Sequence, residues 1–282
     1  MEDQRKTILI TAAALVIALI GAGLLYWYSL QPSAPPPTVE PSKSQEATQP
    51  PSSAEIKPAE EKEPTPGEKV KLPGLDQSDD FVRPVIRGLS PHGKLRDWIK
   101  INNILRVITA AVDNISRGKS PRAHLGFLFY GQVFPVSEKS GKIYLDPKGY
   151  ERYDLLTDAF VSLNTGRTVQ AYEKLKPLFQ EAYQDLGYPQ KDFHSTLIQA
   201  IQRVLSAPEV EREIVLKEEG TGVNFLYVDD GLEDMDEVQK HLVRMGPKNT
   251  RKIQQKLREI ALALGVPEAQ LPQPKAYMSR TK

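Results

Sequence analysis

Cysteine is missing from all 282 residues. That removes disulfide staples, thiolate nucleophiles, iron–sulfur ligation and a lipid-modified N-terminal cysteine. Histidine is scarce: His92, His124, His194 and His241 stand singly, and a lone histidine ordinarily packs at a solvent edge rather than ligating a metal. Phosphate loops are absent too. Ser116–Pro121 contains Gly-Lys-Ser, but the first glycine of such a loop would fall on Asp113 and the segment follows a helical pattern. "GTGVNF" (Gly220–Phe225) lacks the third glycine of a dinucleotide fingerprint. No nucleophile elbow, zinc-protease helix or serine–lysine set occurs. No catalytic residue, metal ligand or cofactor is therefore assigned. Charge of one sign is also lacking, with 37 Lys and Arg against 36 Asp and Glu, and because the chain reads as exported a nucleic-acid partner is not expected.

What is present begins with an uncharged run, Ile8 to Leu25, followed by Tyr26, Trp27 and Tyr28 and preceded by Arg5 and Lys6. Its length and flanks predict a transmembrane helix over 7–30, with 1–6 in the cytoplasm and the remainder exported. The expected location is a bacterial inner membrane, crossed once, with a periplasmic C-terminal domain. A cleaved signal peptide shares the charged head and apolar run, but no small-x-small cleavage site adjoins this one. Eleven of the 23 prolines lie between Pro32 and Pro73. Residues 31–71 hold almost no large apolar side chain and read as a disordered Pro/Ser/Glu-rich linker. Such a linker spans about 35 Å as a coil and about 120 Å as polyproline II.

Residues 72–265 read as a mostly helical α+β domain with two small β-hairpins, followed by a polar tail over 266–282. In "LPGLDQSDDF" either Asp76 or Ser78 is positioned to cap a helix; Asp76, Ser78, Asp79 and Asp80 lack the spacing of a calcium loop. Trp98, Ile101, Leu105, Ile108, Val112 and Ile115 form one apolar stripe, predicting a single helix that ends at Gly118. Hairpins are expected at Val133–Val136 with Lys142–Leu145, and at Glu213–Lys217 with Asn224–Val228. Helices are expected over 148–163, 168–186 (kinked at Pro177), 191–205, 232–245 and 247–264. The acidic run Asp229–Glu237 sits where a helix dipole favours acids.

Two stretches stand out as candidate binding elements. "GYERYDLL" (Gly149–Leu156) sets Arg152 and Tyr153 beside Asp154, a combination that can anchor a helix start or line a polar pocket. "LVRMGPKNTRK" interrupts a basic helical pattern at Gly246-Pro247, a stop and restart. Arg244, Lys248 and Asn249 flank that step, and Asn249 projects about 40° from the apolar face of the last helix. The closing helices carry seven basic residues, Lys240 to Arg258, against Glu237 and Glu259.

"LPGLDQSDD", "AAVDNISRG", "GYERYDLL", "KPLFQEAYQDLGYP" and "LVRMGPKNTRKIQQKLREIA", in this order between Leu72 and Leu264, resemble the blocks of a bacterial family known only as domain of unknown function 3014. The resemblance implies a membrane-anchored envelope protein with a variable linker, and it carries over no catalytic residue. Three functions follow as expectations. The first is a non-catalytic interaction or scaffold module whose partner is an envelope protein or cell-wall component. The second is a hydrolase of a periplasmic polymer using carboxylates such as Asp154, Asp229 or Glu233. The third is a module binding lipid headgroups or acidic glycan.

Overall fold

In the computed structural model of the chain, residues 72–126, 135–220 and 224–279 are described. The expected transmembrane helix and linker lie outside them. Among the described residues no helix is long and apolar enough to cross a membrane.

Nine α-helices among the described residues, α1 (Asp79–Arg87), α2 (Gly93–Trp98), α3 (Ile104–Ser116), α4 (Asp154–Val161), α5 (Thr165–Asp185), α6 (Phe193–Leu205), α7 (Asp230–Glu233), α8 (Glu237–Met245) and α9 (Pro247–Ala263), accompany a small sheet. Its strands are β1 (Val136–Lys139), β2 (Lys142–Leu145), β3 (Val215–Glu219) and β4 (Asn224–Tyr227), in the order β1-β2-β3-β4 and antiparallel throughout. Helix α3 packs on α5 and α6, and α9 packs on α4, α5, α6 and α8. The main core joins Ile104 and Leu105 to Leu175, Leu178, Tyr183 and Phe193. A second core ties the sheet to the closing helices through Leu216, Tyr227, Leu232 and Val243.

Several expectations are corrected. The stripe from Trp98 to Ile115 is divided between α2 and α3, because Asn103 adopts a left-handed conformation with φ 55°. Tertiary contacts hold the break: Arg83 donates to the carbonyls of Ile99 and Ile101, while the Asp79 carboxylate accepts from the amides of Asn103 (2.7 Å) and Ile104 (2.9 Å). Ser78 precedes α1 without capping it; its hydroxyl donates to the Leu75 carbonyl instead. The first hairpin pairs Val136–Lys139, not Val133–Val136, with β2. Its turn residues, Ser140 and Gly141, both have positive φ, the conformation of a two-residue turn matched to strand twist. The two hairpins share one sheet, since Ile143 and Tyr144 pair with Leu216 and Val215.

The helix expected over 148–163 begins as a 3-10 segment, Pro147–Tyr153, before α4. That over 232–245 is interrupted after Glu233, and Asp236 caps a fresh helix by accepting from the Gln239 amide. Helix α5 starts at Thr165, capped by Asn164, and runs through Pro177. Beyond Gly265 the segment expected as a polar tail packs on the domain: Val266 and Leu271 are buried, and Ala276 bridges Glu209 in parallel.

Candidate functional site

Helix α8 ends where Gly246 takes φ 82° and ψ 159°, a region that side-chain-bearing residues essentially never occupy. A β-carbon there would also lie 2.5 Å from ring carbons of Tyr150. The glycine is thus required twice, by backbone conformation and by the ring packed against it. Pro247 then opens α9 at its first position, where a missing N–H costs nothing.

A helix C-terminus leaves its last carbonyls without partners, and α9 supplies them from its own first turn. Asn249 Nδ2 donates to the Met245 carbonyl (3.1 Å), and Thr250 Oγ1 to that of Leu242 (2.7 Å). The Gly246 amide takes the Val243 carbonyl. Asn249 also reaches the Tyr150 carbonyl (3.1 Å) and Asp154 Oδ1 (2.9 Å), binding the 3-10 segment to the bend. One turn further, Gln254 Nε2 donates to the carbonyls of Val204 and Ala207 at the end of α6. The buried polar residues of α9 therefore close the ends of two other helices. Asn249 is 1 % exposed, and its Oδ1 meets no donor.

Above this joint, Arg152 lies 4.7 Å over the Tyr153 ring and donates to its hydroxyl. Tyr153 meets His241 edge-on at 5.6 Å, and Arg244 lies over Tyr227 at 5.6 Å. His241 is held down to about 4 by loss of solvation first, and then by the positive charges of Arg244, Arg122 and Arg152. The imidazole is consequently neutral at physiological pH. Burial raises the Tyr227 and Tyr150 phenols, which remain protonated.

Of the residues singled out in the sequence, Arg152, Tyr153, Asn249 and Arg244 are brought together, with Tyr150, Tyr227 and His241 among them. Lys248 is exposed on the first turn of α9. Arg122, His241 and Tyr227 were not anticipated; the i, i+3 step from His241 to Arg244 was the available signal.

The carboxylates of the hydrolase reading are each engaged. Asp154 accepts from Asn249. Glu233 pairs with Lys240 and accepts from the Tyr227 amide; burial opposes its ionisation, but these partners prevail and lower its pKa. Asp229 caps α7 at Gly231 and Leu232, pairs with Arg212, and accepts from Tyr277 and Ser279. Burial again opposes ionisation, yet these partners bring it to about 2. Among the described residues no group of three or more His, Asp or Glu is arranged to hold a metal. An open cleft of about 380 Å³ lies elsewhere, between α1 and α5, lined by Pro84, Leu89, Arg167 and Lys174.

No curated protein and no solved structure matches the chain. Residues 104–261, more than half of the sequence, match the family model described as "Protein of unknown function (DUF3014)", and the chain belongs to that family.

Proposed function

We propose that the protein is a membrane-tethered, non-catalytic interaction module of the bacterial envelope, anchored by residues 7–30 and projecting its folded domain into the periplasm. The observation carrying the non-catalytic part is the engagement of Asp154 by the Asn249 amide and the commitment of Asp229 and Glu233 to capping and ion pairs. A general acid or base must instead be free to exchange a proton with substrate. The tether rests on the charge-free run, its aromatic border and the proline-rich linker. A phosphatase reporter fused after Lys282 should be active only outside the cytoplasm, and the chain should resist carbonate extraction. Cytoplasmic or extractable fusions refute the tether. Retained polymer hydrolysis by purified chain that vanishes in Asp154→Asn or Glu233→Gln refutes the non-catalytic reading.

Anion recognition is the second reading, favoured by the placement of Arg152 over Tyr153, which meets His241, and of Arg244 over Tyr227. Anionic vesicles should retain the chain at about 50 mM salt and release it at about 300 mM. Arg152→Gln with Arg244→Gln should abolish retention; undiminished binding by that variant refutes this reading.

A further inference from the structure

The seat beneath Tyr277 is complete without the residue that fills it. Asp229 accepts from the amides of Gly231 (2.8 Å) and Leu232 (3.2 Å) and pairs with Arg212, all within the domain. Glu209, whose backbone bridges Ala276, has its carboxylate held by Arg251. Onto this the chain lays residues 272–279 as an extended segment. The Glu209 amide donates to the Lys275 carbonyl and the Tyr277 amide to the Glu209 carbonyl, each at 2.8 Å. The Tyr277 hydroxyl donates to Asp229 Oδ1 (2.5 Å), Ser279 to Oδ2 (2.9 Å), and Arg212 covers the ring at 5.4 Å. Beyond these contacts, the Tyr277 ring packs on the second core, and the rest of the segment is largely exposed. Gln273 to Ala276 are exposed, as is Met278 at 85 %. The buried anchor, Leu271, lies before it, next to Arg258 on the Pro272 carbonyl. A segment with so few buried contacts opens far more readily than the core.

We propose that Asp229, Arg212, Gly231 and the Glu209 backbone form a docking seat for an extended, tyrosine-bearing segment of a partner protein, which residues 272–279 occupy in cis as a detachable strap. Recognition combines backbone pairing at one bridge with a pocket for a single side chain, a short form of strand addition. The carboxylate selects the phenol over phenylalanine, and the guanidinium face selects an aromatic ring over an aliphatic chain. Tethering keeps the strap at a high effective concentration, so a partner must present its segment at comparable local concentration. This deepens the interaction role proposed above and rests on it for the existence of a partner.

The probe is a fluorescent synthetic peptide of the chain's own residues 272–282, titrated into purified full chain. Tyr277→Ala should empty the seat and strengthen peptide binding at least about tenfold over wild type. A peptide carrying Phe in place of Tyr277 should bind about tenfold more weakly, and adding Gly231→Ala, whose β-carbon would collide with the phenol oxygen, should abolish binding. In wild type, hydrogen exchange at the Tyr277 amide should be faster than at core amides such as Val243. A Tyr277→Ala chain that binds no better, or that loses its cooperative fold, overturns the proposal, as does a Tyr277 amide protected as strongly as the core. None of these readouts depends on membrane location, so failure of the seat and failure of the tether are separable.

Discussion

Replacing Asn249 by alanine tests whether the Gly246-Pro247 step is a load-carrying joint. The side chain is 1 % exposed and its two amide hydrogens are shared among the Met245 carbonyl, the Tyr150 carbonyl and Asp154. Two hydrogens sustain at most two full bonds. Leaving their acceptors unpaired costs about 1–3 kcal/mol each, and more for a carboxylate. Against this, alanine removes the unsatisfied Oδ1, recovering about 1–2 kcal/mol. The net expectation is a loss of about 2–4 kcal/mol. In urea titration, with an m-value near 2 kcal/mol/M, the midpoint should fall by about 1–2 M without a change in m. Asn249→Asp should be worse at neutral pH, because it places a second carboxylate against Asp154 and an acceptor where a donor had faced three acceptors. Exposed Lys248→Ala should stay within about 0.5 kcal/mol. A loss below about 1 kcal/mol for Asn249→Ala, with unchanged m, would refute the joint.

Gly246→Ala should cost about 3 kcal/mol or more, combining the backbone conformation, about 1–3 kcal/mol, with the clash on Tyr150; repeating it in a Tyr150→Ala background should recover the steric part, and a double-mutant cycle reads the coupling. His241, neutral in the fold and ordinarily titrating at 6.5, takes up protons in the unfolded chain first as pH falls. Stability should thus be full above about pH 6.5 and decline toward pH 4, by about 2.5 kcal/mol between pH 7.5 and 4.5. His241→Gln should remove that increment in paired denaturation curves; an unchanged slope contradicts it. Asp79→Ala should cost about 1–2 kcal/mol by uncapping α3, while Asp79→Asn, which keeps one acceptor, should cost less; equal losses by thermal melt would show that charge rather than capping is what matters.

Elements whose causes are local were legible in the sequence. The existence of α5, α6 and α9, the apolar face of α9 and the Gly-Pro signal at 246–247 each depend chiefly on neighbours within a few residues. What escaped depends on distant partners. The break before α3 exists because Arg83 takes carbonyls 16 and 18 residues away, and no propensity at Ile99–Asn103 reveals it. Pairing of β2 with β3 joins strands separated by three helices. Asn249 showed only an odd helical angle, and angle alone does not name the carbonyls it reaches. Tyr277 gave no signal, since an exposed, proline-containing segment looks the same docked or free.

The basic run of α9 illustrates why counting charge along a helix misplaces a binding surface. Arg251 pairs with Glu209 and Glu211, Lys252 with Asp158, Lys256 with Glu259, and Arg258 with Glu268. Exposed pairs like these contribute little to stability, but each replaces the field of a charge by that of a dipole, which decays faster with distance. Apart from Glu259, which lies in α9 itself, the acids come from other helices and loops, so most of the neutralisation is invisible in the helix's own sequence. The outer face of α9 consequently attracts an anion less than its basic count suggests. On the anion reading the binding face is instead that of Arg152 and Arg244, which with Arg122 add to the larger effect of lost solvation in holding the His241 imidazole neutral. Neutralising Arg251 should therefore leave vesicle retention nearly unchanged, whereas neutralising Arg152 and Arg244 should remove it; the reverse order would return the binding face to α9.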